Sequence, residues 1–327
     1  MKEYSSKYNK KGILLVNLGT PETVNVADVK KYLREFLSDK RVIEANPLIW
    51  KFILNCIILP FRSKKTAKLY KSIWNNKDNM SPLLYYTMRQ SEKLQNLFDD
   101  NTIVDFAMRY GKPSIKEKIL LLQSKGVTEI KVLPLYPQYS ATTTATVYDK
   151  LYSILLDMRM QPTIVGIKPY YDHPEYIHII KNSILRHVKS LNYQPDKLIL
   201  SFHGLPHDYL KNGDPYYCHC HKTHRLVKAS LQEFIDYPIE LSFQSRFGPK
   251  KWLEPYTTDI IKDSVEKGFK KIVLATPGFS ADCLETLEEL QVAEKEEFLK
   301  HGGEEFSVVP CLNDDDDHIL FLKKILS

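Results

Sequence analysis

Short apolar runs, each closing on Gly, Pro or Ser, recur along the chain between longer segments of helical period. Runs of that length bounded by turn residues read as strands, and strands alternating with helices read as βαβ units building parallel sheets. The strand candidates fall into two sets of four. The first set is Ile13–Leu18, Ile103–Met108, Glu129–Leu135 and Thr163–Ile167; the second is Lys197–Phe202, Ile239–Gln244, Lys271–Ala275 and Ser307–Cys311.

The two sets also agree residue by residue. LLVNLGTP at the first strand answers LILSFHGLP, and DFAMRYG at the second answers SFQSRFG, with Arg109 matching Arg246. At the third, KVLPLYPQYSATTTATV from Lys131 lies without gaps on KIVLATPGFSADCLETL from Lys271, and IVGIKPYYDHPEYIHII answers SVVPCLNDDDDHILFLK at the fourth. Four pairs in one order imply a duplicated, doubly wound α/β fold: two similar Rossmann-like halves, each a four-stranded parallel sheet flanked by helices, with a ligand cleft between them. The halves are expected at 12–171 and 172–314, with a C-terminal helix over 315–327 packing on the N-terminal half. The points where they differ are the places to look for chemistry. Gly19-Thr20 faces His203-Gly204, and Ala145 faces Glu285, so a His and a Glu stand at the carboxyl ends of two second-half strands, where such sheets open to ligand. Read alone, His203 is as well explained as a hydrogen-bonded core histidine; the second difference at Glu285 turns the balance toward a site.

Composition narrows the class. With 327 residues, 43% hydrophobic and 26% charged, the chain is long enough for two globular domains. A net charge of +6 with dispersed basic residues does not support nucleic-acid binding. Five cysteines, unevenly spaced, are no disulfide framework and fit a reducing cytoplasm. The polar first eleven residues lack the apolar core of a signal peptide. Neither glycine-rich phosphate motif occurs, which argues against a nucleotide enzyme. One segment, Pro47–Phe61, is apolar but broken by Lys51, Asn55 and Pro60, and basic residues follow it at once. A membrane span needs about 20 apolar residues. The run therefore reads as a buried helix or as an apolar lip at 47–61 dipping into a membrane face.

The successive motifs Gly12-Ile-Leu-Leu-Val-Asn-Leu-Gly-Thr-Pro21, Leu135-Tyr-Pro-Gln-Tyr-Ser140, Ser201-Phe-His-Gly-Leu-Pro206, Gly213-Asp-Pro-Tyr216, Phe243-Gln-Ser-Arg-Phe-Gly-Pro249 with Trp252, and Phe279-Ser-Ala-Asp-Cys-Leu-Glu-Thr-Leu-Glu-Glu-Leu290 resemble those of ferrochelatases, in the forms of Gram-negative bacteria. They stand in family order over nearly the whole chain. The resemblance implies a chelatase-like fold with protoporphyrin IX in the cleft, ferrous iron as second substrate, and protohaem as product of the terminal step of haem biosynthesis. It implies a cytoplasmic enzyme, peripheral on the inner face of the membrane, with no resident cofactor required.

Insertion of iron demands that two pyrrole N–H protons leave while a hydrated cation is received. Imidazole binds iron and takes up protons, and a carboxylate can accept or relay a proton, so His203 and Glu285 suit the two tasks in either order. The resemblance makes them the metal-site pair. Glu289, one helical turn from Glu285, with Asp282 and Cys283, would continue a metal path, although a solvated helix face explains the same spacing. Ala293 interrupts the acidic row of some relatives, and Cys283 stands where many carry His. By the same resemblance Leu18, Tyr136, Phe279 and Trp252 line the macrocycle, Arg62, Lys65, Tyr70 and Ser81 lie near the propionates, and Arg109 and Tyr110 are cleft residues.

Cys218-His-Cys-His221 with His224 is the one metal-like cluster, and by itself it suits zinc or iron–sulfur. In the animal-type family pattern a cluster cysteine follows the Tyr-Ser of the third-strand motif and others lie in a C-terminal extension; here that position is Ala141 and the chain ends at Ser327, so a [2Fe–2S] cluster is not expected. Two rivals remain: a chelatase of the same fold acting on coproporphyrin or sirohydrochlorin, and a haem or porphyrin carrier without turnover. A carrier has no use for the second proton acceptor, Glu285.

Overall fold

The computed structural model describes residues 9–327; residues 1–8, most of the polar amino-terminal stretch, lie outside the described residues. The chain divides into two compact units, one made of residues up to Tyr136, Ser140–Lys168 and Asp314–Ser327, the other of Pro137–Tyr139 and Pro169–Asn313.

In the first unit the strands are β1 (Lys10–Thr20), β2 (Thr102–Gly111), β3 (Val127–Pro134) and β4 (Thr163–Gly166), all parallel, in the order β2-β1-β3-β4. Ile13, Leu14, Leu15 and Val16 of β1 are all buried, as expected of a central parallel strand covered on both faces. Its helices are α1 (Val26–Leu37), α2 (Pro47–Ile53), α3 (Leu59–Ile73), α4 (Pro82–Gln95), α5 (Ile115–Ser124) and α6 (Thr146–Leu156). Leu14, Val16, Ile119, Leu122, Val147 and Leu151 form a core between sheet and helices.

The second unit repeats the plan with β5 (Lys197–His203), β6 (Ile239–Gln244), β7 (Lys271–Ala275) and β8 (Glu305–Val308), parallel, in the order β6-β5-β7-β8. Around them lie α7 (Pro174–Ser190), α8 (His207–Lys211), α9 (Tyr216–Leu231), α10 (Thr257–Glu266) and α11 (Lys295–Lys300). Ile199, Ile261, Ile272, Leu274, Leu290 and Phe298 pack as its core. Each strand has its counterpart at the same place in the other sheet, so the duplication read in the sequence is a duplication of topology. A last helix, α12 (Asp316–Leu326), belongs to the first unit, where Lys93 of α4 binds Asp314 and Asp316.

One strand sits two to three residues earlier than its apolar pattern suggested. β8 runs Glu305–Val308 rather than Ser307–Cys311. Val309 still donates to the Leu274 carbonyl at 2.8 Å, and Pro310, which has no N–H, stops the ladder there.

The halves part company at the end of the first strand for a steric reason. β1 stays paired with β2 through Gly19 and Thr20, and Gly19 has φ of +116° with the Tyr110 carbonyl oxygen 1.8 Å from where a Cβ would stand. No side chain fits there, so the position that carries His203 in one unit is closed in the other. Gly19→Ala should therefore cost about 2–4 kcal/mol in chemical denaturation. Gly213→Ala is the control: its φ is +95° but nothing lies within 4 Å, so only the backbone penalty of about 1 kcal/mol applies. Equal losses for the two would refute the steric account.

Candidate active site

His203 is the last residue of β5, half-buried, with Nδ1 2.7 Å from the carbonyl oxygen of Gly204. A carbonyl only accepts, so Nδ1 carries the hydrogen and the Nε2 lone pair is left for a cation or a proton. Gly204 is held in turn: its N–H donates to the Gln244 carbonyl at 2.8 Å, and a Cβ would meet that oxygen at 2.7 Å and the Trp252 ring at 3.2 Å. This is why the motif needs Gly after His. Leu253 N donates to Leu205 O at 2.8 Å and His207 N to Lys251 O at 2.9 Å, tying the Trp252 loop beside the histidine. The Phe279 ring centroid lies 6.5 Å from that of His203. In the second unit, then, Trp252 and Phe279 both lie near the turn that carries His203.

Glu285 opens a π-helix, Glu285–Glu294, in place of the α-helix that its one-turn spacing from Glu289 implied. Such segments are rare and concentrate at functional sites. A shorter π-helix, Ala141–Ala145, stands at the matching place in the first unit, so the unusual winding is part of the duplicated plan. Gln244, the register partner of His203, donates from Nε2 to the Glu285 carbonyl at 3.4 Å and accepts at Oε1 from Ser201 Oγ at 2.8 Å. Ser201 continues to Thr257 and Ser242 through a buried hydroxyl chain. One residue thus touches both halves of the pair: its backbone braces the turn that orients His203, and its side chain braces the first residue of the π-helix. The next residue, Ser245, donates to the Glu289 carboxylate. Gln244 and Ser245 escaped the sequence reading, although both lie inside the Phe243–Pro249 motif; their meaning depends on partners 41 and 44 residues away.

Two members of the expected metal path are spent otherwise. Asp282 is 5% exposed, and its carboxylate accepts from Thr286 Oγ1 at 2.9 Å, Asn313 Nδ2 at 2.7 Å and the Cys311 amide at 3.3 Å. It pins the start of the π-helix to the segment after β8. Cys283 is 7% exposed, and burial, then the neighbouring Glu285 charge, pushes its thiol well above the usual range. Its S–H faces Glu285.

In the first unit the expected porphyrin residues divide. Leu18 and Tyr136 are half-buried, and the Tyr136 hydroxyl has no partner among the described residues. Arg62 is half-exposed and Lys65 exposed on α3. The remaining four are engaged inside the unit. Arg109 donates from Nε to Thr146 O at 2.8 Å and pairs with Asp39; the fully buried Tyr110 donates to Asp39 at 2.9 Å, its hydroxyl held neutral by burial. Tyr70 is buried among Tyr32 and Trp74, and buried Ser81 caps α4 by accepting from Leu84 N at 3.2 Å. These four make their contacts within the first unit.

The Cys-His cluster on α9 does not converge. Cys218 is exposed and Cys220 buried; His219 stacks on Tyr171 at 3.7 Å and accepts from the Tyr139 amide, and His221 packs on Tyr217 at 4.2 Å. Burial lowers the pKa of His219, His221 and His224. Among the described residues no group of three or more His, Cys, Asp or Glu is arranged to hold a metal.

Solved chelatases share this architecture. SirB from Bacillus subtilis with Fe3+ superposes with a TM-score of 0.57 over 97% of this chain and 94% of its own, at 11% identity. The sirohydrochlorin chelatase SirB of subspecies spizizenii in complex with cobalt gives 0.55 at 10% identity over the same shares. At such identities the likeness speaks for the fold alone. Sequence relatives are much nearer: ferrochelatases of Francisella tularensis subsp. novicida strain U112 and subsp. holarctica strain OSU18 are 58% and 59% identical over 100% of this chain and 98% of theirs. The Ferrochelatase family model matches residues 10–327. From one end of the duplicated fold to the other, therefore, the chain belongs to the ferrochelatase family, the chelatases that insert ferrous iron into protoporphyrin in haem biosynthesis.

Proposed function

We propose that the chain performs this insertion with His203 and Glu285 as its working pair. The observation that carries the reading is the locked imidazole: with Nδ1–H committed to Gly204, Nε2 offers a lone pair at the carboxyl end of β5, near Trp252 and Phe279. Ferrous iron binds that nitrogen in exchange for water. Porphyrin gives up two N–H protons as the metal enters: the Glu285 carboxylate accepts one, and Nε2, freed as the iron passes to the pyrrole nitrogens, accepts the other. Leu18, Tyr136, Trp252 and Phe279 contact the macrocycle, and Arg62 and Lys65 pair with its propionates. Anaerobic incubation of the pure protein with ferrous iron and, separately, protoporphyrin IX, coproporphyrin and sirohydrochlorin tests the substrate. Conversion of protoporphyrin to haem far ahead of the others is the expected result; preference for another tetrapyrrole, or binding without conversion, would replace the reading.

The segment from α2 to α3 supports contact with a membrane surface. Leu48, Ile49, Phe52 and Phe61 are 81%, 62%, 65% and 76% exposed, and exposed Lys51, Lys64, Lys65 and Lys68 accompany them. Trp50 is different: it is half-buried and its indole N–H donates to the Leu37 carbonyl at 2.7 Å, anchoring the segment. Among the described residues no helix is long and apolar enough to cross a membrane. Apolar tips with flanking cations fit an interfacial attachment. Changing Leu48, Ile49, Phe52 and Phe61 to Ser should weaken partition onto anionic liposomes at least about tenfold, since a tenfold loss needs only about 1.4 kcal/mol in all and fully burying one such side chain contributes about 1.5–3 kcal/mol. Unchanged sedimentation would exclude this surface.

A further inference from the structure

The two units diverge at one more point. In the first, β2 runs straight on to Gly111 and stays paired with β1. In the second, β6 stops at Gln244, and the next residue, Ser245, adopts φ of +65°. That left-handed conformation is sterically disfavoured for any residue with a Cβ and is ordinarily given to Gly. Its counterpart in the duplicated sequence, Met108, is a buried strand residue, so the fold itself does not require the break. Strained backbone of this kind persists where a side chain has a task. The side chain here donates from Oγ to Oε2 of Glu289, across to the π-helix, immediately after Gln244 reaches the carbonyl of Glu285. Two consecutive residues at the end of β6 thereby hold two acidic residues of the π-helix, Glu285 by its carbonyl and Glu289 by its carboxylate.

We propose that Ser245 is a positioning residue for iron delivery: its hydroxyl fixes one oxygen of Glu289, so the carboxylate is held toward the carboxyl end of the sheet, where β5 ends at His203, instead of sweeping the helix surface. A hydrated divalent cation captured by Glu289 is then already near Glu285. The inference rests on the reading of Glu289 as part of the metal path. A hydrogen bond that orients a metal-binding group typically changes metal affinity by about 10- to 100-fold when removed.

Ser245→Gly separates this role from a structural one, because Gly takes the backbone conformation without strain. The expected result is a melting temperature equal to or above that of the parent protein and a KM for ferrous iron raised about tenfold, with kcat at saturating iron and KM for protoporphyrin within about twofold. Glu289→Gln should raise the iron KM at least as much, and the double variant should be no worse than Glu289→Gln alone. An unchanged iron KM in Ser245→Gly, with Glu289→Gln impaired, overturns the proposal. So does a fall in melting temperature that accounts for the lost activity. An unaffected Glu289→Gln instead overturns the metal-path reading beneath it.

Discussion

His203→Ala is expected to lower ferrous insertion by about 10³- to 10⁴-fold while protoporphyrin affinity stays within about threefold. The size follows from losing two functions at once. The imidazole is oriented by its bond to Gly204 so that Nε2 alone remains for chemistry, and alanine removes both the metal-binding lone pair and a proton acceptor. Affinity should survive, because the porphyrin is proposed to rest on apolar and aromatic walls and on the cations of α3, none of which the substitution touches. The fold should survive as well. The first unit has Gly19 at the corresponding position, so the sheet does not need a side chain there. Porphyrin fluorescence quenching measures binding and anaerobic haem formation measures turnover; full activity in the variant would refute the assignment.

Glu285→Gln should cost about 10² to 10³ in the same assay, again with binding intact. The change keeps size and keeps the backbone carbonyl that Gln244 holds, so the π-helix should start as before. What disappears is the ability to take a proton and the negative charge toward iron. Thermal unfolding and far-ultraviolet circular dichroism should match the parent protein. If the two side chains serve one iron, the double variant should be little slower than His203→Ala, since groups acting as a unit are not additive. Multiplied losses would mean that they act in separate steps. Activity retained in Glu285→Gln would leave His203 alone at the centre.

Much of the fold was legible because it depends on patterns carried locally by the chain. A parallel strand covered on both faces needs an unbroken apolar run, and Ile13–Val16 and Leu198–Leu200 are such runs; turns at their carboxyl ends need the residues that stand there. The duplication was legible too, since equivalent strands face equivalent surroundings. It singled out His203 and Glu285 as departures from a shared plan.

Tertiary structure decided what each polar group does, because a side chain's role depends on partners that local pattern does not specify. Asp282, Cys283 and Glu289 look alike in sequence as neighbours of Glu285, yet Asp282 is consumed by Asn313, Thr286 and Cys311, Cys283 is desolvated, and Glu289 meets Ser245. Arg109, Tyr110, Tyr70 and Ser81 have residue types suited to a ligand, and packing turned them inward. Sequence by itself determined the two sets of four parallel strands and marked His203 and Glu285 as positions where the halves differ. The bracing of the turn after His203 and the contacts that Gln244 and Ser245 make to the π-helix were decided only when residues some 40 positions apart came within hydrogen-bonding distance, because hydrogen bonds act through space and are blind to sequence separation.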